Sequence, residues 1–528
     1  MKNRHILSAS ILFLGLSQLS YGDLDSFPAQ PVTLSAAVGD EQSDFFFTQT
    51  FGGYYVAFTG VSPLKGKAGL TKEARSLFTV KISDGINNYF TTVTKASPLK
   101  KVSTFKVAKG TVFDSFSNAL LNATTTNREI FHVPGLGVYM TTSGKHPSLL
   151  RAESATAPIT GVAVRYPENS PKDLSDPTQQ FRVIIGAKDK KKGLEPFQSS
   201  GTGPSTKLLK DIVAGANGSN AQQFITAADE VYFAATDPAS DPAAPALGVY
   251  YVTASAGSKS PTYSAAELPG SAVDSLSNLT GGAAGLFYTG TLSAGHTTIY
   301  RYYPGLQGFY GIISTDDQPQ SPLDPTQLTP AVGNGDTMAF SALDPLTNKV
   351  RFGVYSFTND AFQYPEVDNT TVGTTTNPTH ITSAGSYYYF DALYANTGPY
   401  FARNFTGSSS IEYVGALTKG NLISNVQEIT SVPIENGNIY FTGDGFVDNA
   451  NQTGILFTMD PENADPVAVP VRTIGGALVR GAHNLRAVIN GGQVFRCYFT
   501  APVTGTTNSE YATGGKDYGT KPWVVNAP

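Results

Sequence analysis

Two aspartates, Asp114 and Asp391, each directly follow an aromatic residue in a short apolar run, in TVFDSFS and YYFDAL. Comparable runs elsewhere in the chain carry Thr, Ala, Ser or Gly at that place. Two carboxyl groups facing one water-filled space are what a glycosidase uses as acid and base. Asp114 and Asp391 are therefore the catalytic candidates. The competing expectation is that each accepts hydrogen bonds inside its own sheet, as buried polar groups do. A second cluster of oxygen ligands lies in GDGFVDNANQTG, residues 443–454, where Asp444, Asp448, Asn449 and Asn451 are the calcium candidates. Their spacing departs from the alternating Asp pattern of a calcium loop, and no closing Glu follows.

The remaining chemistry is sparse. There is no Gly-x-Ser-x-Gly elbow, no His-Glu-x-x-His pair and no glycine-rich phosphate loop. No cofactor is expected. The histidines beyond the first residues (132, 146, 296, 380 and 483) are never four apart, so a metal site would need distant ones to converge. Asp189, Asp237 and Asp344 recur at the ends of apolar runs, which points to a turn role. The tyrosine-rich stretches 301–311 and 386–401 suit either core packing or stacking platforms for sugars and peptides.

The elements that must position these residues are strands. Only 15% of the 528 residues are charged and 40% are hydrophobic, with short apolar runs between polar turn residues. One pattern recurs: an apolar run ends in a large residue, and two positions later comes a small one. The large residues are Phe58, Phe113, Ile185, Phe233, Tyr288, Phe340, Phe390, Phe441 and Phe499. The small ones are Gly60, Ser115, Ala187, Ala235, Gly290, Ala342, Ala392, Gly443 and Ala501. Intervals of 48 to 72 residues suit one four-stranded antiparallel sheet each. The longest interval is read as a long loop, NALLNATTTNREIFHVPG, followed by an ordinary second strand, GVYMTTSG.

These repeats predict an all-β chain: a single β-propeller of about nine four-stranded blades. The small residues are expected on the innermost strands, where blades converge. GLEPFQSSGTGPSTKLLKDI, residues 193–212, has an echo in GTKPWVVNAP at the C-terminus, where the strand that should follow is missing. PVTLSAAVGDEQSDF near the N-terminus supplies it, with Val32 as far ahead of Phe58 as Lys207 is of Phe233. The N-terminal strand is thus expected to join the last blade and close the ring, removing exposed edges.

Residues 181–237 resemble the secreted repeats known by their Glu-Leu-Trp-x-x-Asp-Gly-Thr signature, also described as hyalin-like. Glu195 keeps the Glu, Pro196 and Phe197 replace Leu and Trp, Ser200 replaces the Asp, and Gly201-Thr202 keep the turn. The resemblance implies propeller blades in exported and surface proteins. It implies no reaction.

Residues 1–22 read as a signal peptide: Lys2 and Arg4 precede an apolar run from Ile6 to Leu16, with small residues at Ser20 and Gly22. Residues 23–528 form the propeller. Six Asn-x-Ser/Thr sequons, among them Asn122 and Asn404, are present. Cys497 is the only cysteine, so no intramolecular disulfide forms. The formal charge of −5 argues against a nucleic-acid partner. The expected function is an exported, non-catalytic scaffold for a protein or glycan at the cell envelope or surface. The alternatives are a hydrolase or lyase acting on an extracellular polysaccharide and a structural component of an envelope assembly.

Overall fold

The computed structural model describes residues 29–31, 45–50, 53–61, 72–82, 100–115, 128–142, 146–165 and, short breaks aside, 181–526. The proposed signal peptide and Asn122 lie outside them. The chain is all-β. Six four-stranded sheets run up and down in sequence order, a seventh takes Ala29–Pro31 as its fourth strand, and a nine-stranded one joins two further meanders. The join is one bridge, Tyr400 opposite Ser424.

In every sheet but the one containing Phe113, the large-then-small pattern lies on the second strand and not on the first. It is the first strands that lie against one another from sheet to sheet. Ile159–Arg165 packs on Gln222–Ala227, followed by Ser275–Gly282, Leu323–Pro330, Thr375–Ala384, Ser424–Ser431 and His483–Asn490. Each of these strands is bulged against its partner. Several bulge residues are left-handed without being glycine, including Gln223, Asn278, Gln327, His380, Asn425 and Asn484, with φ from 52° to 56°.

The small residues answer to the segment by which the chain enters the first strand of their own sheet. A Cβ on Gly290 would stand 3.0 Å from Val273, just ahead of Ser275–Gly282. On Gly443 it would stand 3.0 Å from Ile423, just ahead of Ser424–Ser431. A larger side chain would push the crossover off the sheet.

The second sheet corrects the sequence reading. Asp114–Ser115, beside Phe113, is the first strand, and the second is Arg128–Val133, read above as part of a loop. Phe131 therefore holds the place assigned to Phe113, and Gly137–Thr142 is the third strand.

Bulge side chains join neighbouring first strands. Gln223 Nε2 donates to the Leu276 carbonyl (2.8 Å), while its Oε1 accepts from the Leu279 N–H (3.2 Å). Gln327 does the same to Pro378 (3.3 Å) and Ile381 (3.2 Å). Glu428 accepts from the Leu485 N–H at 2.9 Å. Threonines add a second contact: Thr226 donates to the Val164 carbonyl at 2.8 Å, and Thr329 to that of Ile381 at 3.2 Å. Buried arginines reinforce some junctions. Arg165 pairs with Glu230, and Arg403, 1% exposed, donates to the carbonyls of Asn463 and Ala464 at 2.7 and 2.9 Å.

The chain ends meet. Ala29–Pro31 pairs antiparallel with Gly519–Asn526, Ala29 opposite Val525 and Pro31 opposite Trp523. Leu208 sits opposite Phe197 in the same way, so the pairing residue is Pro31 and the strand begins earlier than the Val32 register implied. Ala29 packs in a core with Phe499, Trp523 and Cys497, all fully buried. A chain starting at residue 34 should melt roughly 4 °C or more below one starting at residue 23, because it uncovers the edge of Gly519–Asn526. Equal melting temperatures in differential scanning calorimetry would show that this strand contributes nothing.

Candidate functional site

Each catalytic candidate sits beside a histidine of its own sheet. Asp114 Oδ2 lies 3.1 Å from His132 Nδ1, across the first two strands. His132 Nε2 lies 2.8 Å from Glu153 Oε2, which also accepts from the Gly135 N–H at 2.7 Å. Asp391 Oδ2 lies 3.1 Å from His380 Nδ1. Among the described residues no hydrogen bond joins Asp114 to Asp391, which lie on different sheets, and the cavity that Asp391 lines does not include Asp114. Asp114 is half exposed, whereas Asp391 is buried.

The Asp391–His380 pair is a variant of a repeated link. In two other sheets the bulge residue also bonds the residue after the aromatic of the second strand. Asn278 donates to Thr289 at 3.0 Å and Asn484 to Thr500 at 3.3 Å. His380 and Asp391 occupy those places, so a neutral amide–hydroxyl link has become a titratable pair. Burial pushes the Asp391 carboxyl up to about 6, and His380 pulls against that shift. Asp391 Oδ1 is buried without a hydrogen-bond partner.

Asp391 and His380 line a cavity of about 540 Å³ with Thr379, Asn425, Gln427, Thr442, Asp444 and Thr453. A second cavity of about 470 Å³ shares Asp444 and Thr453 with it and continues past Asn451 and Gln452 to Phe446. Together they form a cleft between the meander starting at Thr375 and the one starting at Ser424. Phe446 is 40% exposed, unusual for an aromatic ring beside amides and a carboxylate.

The calcium candidates do not act as one set. Asp444 belongs to this cleft, where it accepts from Asn425 Nδ2 and the Gly454 N–H, both at 2.8 Å. Asp448 and Asn449 form the tip of a hairpin, with φ of 53° and 60°, the left-handed pair that a tight two-residue turn requires. The Asp448 carboxylate is paired with Arg472 at 2.7 Å. Asn451 lines the far part of the cleft. No group of three or more His, Cys, Asp and Glu able to hold a metal occurs among the described residues.

The turn aspartates stand as their recurrence suggested. Asp189, Asp237 and Asp344 accept from backbone N–H groups two residues on, at 2.8 to 2.9 Å. The tyrosine-rich stretches go to packing where they are described: Tyr388, Tyr389 and Phe401 are fully buried. Asn404 of the Asn-Phe-Thr sequon is also fully buried, its Nδ2 held by the carbonyls of Ser408 and Ser410, so the folded chain does not offer it for glycosylation.

No family model and no curated protein matches the chain. Among solved structures it is similar to the propeller of Dos1 at 9% identity and TM-score 0.39, covering 76% of this chain and 90% of that one. It is also similar to Sqt1 from Saccharomyces cerevisiae at 10% identity and TM-score 0.34, covering 77% and 97%. A prolyl endopeptidase structure aligns at 8% identity and TM-score 0.38, covering 71% of this chain. The alignment spans about half, 53%, of that enzyme.

His132 gives a pH test. Burial opposes its charge, but the bonds to Asp114 and Glu153 prevail, raising it above the ordinary 6.5. The stability it contributes is complete below pH 6.5 and is lost as pH rises through the raised value. Glu153 is lowered: burial works against this, and the His132 and backbone bonds outweigh it, so its contribution is lost only well into acid. Urea melts of the wild type and His132→Gln should therefore differ most below pH 6.5 and draw together as pH rises above it. A difference independent of pH would show that His132 stays neutral.

Proposed function

We propose that the chain is an exported β-propeller of nine blades, closed by its N-terminal strand, that binds a glycan in the cleft between Asp391 and Phe446. The blade count rests on nine consecutive meanders, with the nine-stranded sheet counted as two. The first strands, side by side, are then the inner circle. Pairing of the two chain ends supports closure. The envelope or surface placement rests on the N-terminal leader pattern and on the resemblance of residues 181–237 to secreted repeats.

The observation that carries the glycan reading is the composition of the cleft: an exposed Phe446 ring beside Asp444, Asn451 and Gln452. A sugar presents an apolar face to an aromatic ring and hydroxyls to planar amides and carboxylates. Loops held on a rigid scaffold commonly carry binding residues. A hydrolase or lyase reading is favoured by one observation, that Asp391 and Asp444 line the same cleft. The acid–base pair would then be these two, and Asp114 would take no part.

A thermal-shift screen of residues 23–528 against an oligosaccharide panel tests the binding reading. A sugar at a hundredfold over its dissociation constant should stabilise the fold by about 2.7 kcal/mol. Phe446→Ala should abolish the shift and leave the unliganded melting temperature unchanged. Shortening of a bound oligosaccharide by the wild type but not by Asp391→Asn would establish the enzyme instead. Absence of a shift with every sugar would overturn the glycan reading.

A further inference from the structure

The cleft is acidic in a way that a neutral sugar leaves unused. Where the sheets holding Thr289 and Thr500 make the bulge link with an amide and a hydroxyl, this one spends a buried carboxyl and an imidazole. The fold does not require that exchange, and burying a carboxyl costs free energy unless it is well partnered. The Asp391 side chain is 3% exposed, and its Oδ1 has no hydrogen-bond partner. Only burial and His380 act on its titration, with no contribution from a lysine or arginine. Asp444, across the same cavity, is held only by neutral donors, Asn425 and the Gly454 N–H. Neither cavity has a lysine or arginine in its lining. Arg480 keeps its charge at the rim, where it donates to the Gln452 side chain and the Thr453 carbonyl, while inside the titratable groups are the two carboxyls and the His380 imidazole. A recess lined by one sign of charge draws in the other.

We propose that the cleft recognises a glycan through a primary ammonium group, that is, an amino sugar with a free amine, seated between Asp391 and Asp444. This rests on the glycan reading above. An ammonium donates three hydrogen bonds and tolerates varied geometry, so two separate carboxylates and a threonine hydroxyl suffice. A calcium ion needs six to eight oxygens, and no group of three or more His, Cys, Asp and Glu able to hold a metal occurs among the described residues. A guanidinium prefers both oxygens of one carboxylate, and Asp391 Oδ2 is engaged by His380.

Titration calorimetry at pH 7 on residues 23–528 tests this with four probes: a glucosamine tetramer, the N-acetylglucosamine tetramer, a galacturonate tetramer and spermidine. The expected result is at least tenfold tighter binding of the glucosamine tetramer than of its acetylated counterpart, with no binding of the galacturonate. Asp391→Asn keeps a partner for His380, and Asp444→Asn keeps an acceptor for Asn425. Each should bring the glucosamine-to-acetyl ratio close to one, while Phe446→Ala should weaken both tetramers equally. Equal binding of the two tetramers by the wild type would overturn the ammonium site and leave the glycan reading standing. Spermidine binding that is lost in Asp391→Asn, with no tetramer bound, would uphold the ammonium site and overturn the glycan reading. No binding of any probe would overturn both.

Discussion

The contact on which the arrangement of sheets depends is the clasp between neighbouring first strands. A sheet that meets the next one edge to edge cannot extend its hydrogen-bond ladder across the junction, because the strands splay. The bulges solve this by turning a polar side chain sideways. Gln223 and Gln327 each offer a donor and an acceptor at once, and the strand opposite presents a carbonyl and an N–H three residues apart. The left-handed backbone at these positions costs about a kcal/mol or more each for a non-glycine residue. Two satisfied backbone groups and an oriented neighbour offset that cost.

The sheet content was legible from the apolar runs and their spacing, because a buried second strand must be apolar whatever else varies. The position of those strands was not, since burial on both faces occurs equally in second place and innermost. What marks the first strands is polar. Asn220-x-x-Gln223-Phe, Asp324-x-x-Gln327-Leu, Asn377-x-x-His380-Ile and Asn425-x-x-Glu428-Ile form a second repeat, each with a threonine two or three residues after the Gln, His or Glu. An apolar reading passes over it. It also explains why Phe113 was misplaced: Asp114–Ser115 is a two-residue first strand, too short to show the polar pattern, and the true second strand was hidden in REIFHV.

Of the site residues, Asp391 and Asp444 were visible in the sequence, Asp391 as an exception to its column and Asp444 as a loop carboxylate. That they share a cleft was not visible, because they lie 53 positions apart on neighbouring meanders. Their partners were hidden for the same reason: His380 and Asn425 belong to the polar repeat. A repeat protein supplies its own controls here. Asn278 with Thr289, and Asn484 with Thr500, show what the link looks like when it serves only the fold, so the charged version can be set against neutral ones within a single chain.

The pairing of Ala29 with Val525 concerns time as well as stability. Every other strand pair in the described residues can form soon after its second member leaves the ribosome, because its partner is at most a few tens of residues behind. The last sheet waits for the whole chain. The entropy of closing so long a loop grows only logarithmically with its length, about 0.6 kcal/mol for each doubling, so the finished sheet loses little by the arrangement. Its rate is another matter, since pairing across the entire sequence is among the slowest folding events. Until then Gly519–Asn526 presents an unpaired edge, and a chain truncated before residue 519 leaves Ala29–Pro31 without its strand partner, held by the bridge from Ala29 to Thr473. This sheet is therefore complete only when residues 29–31 and 519–526 are both present.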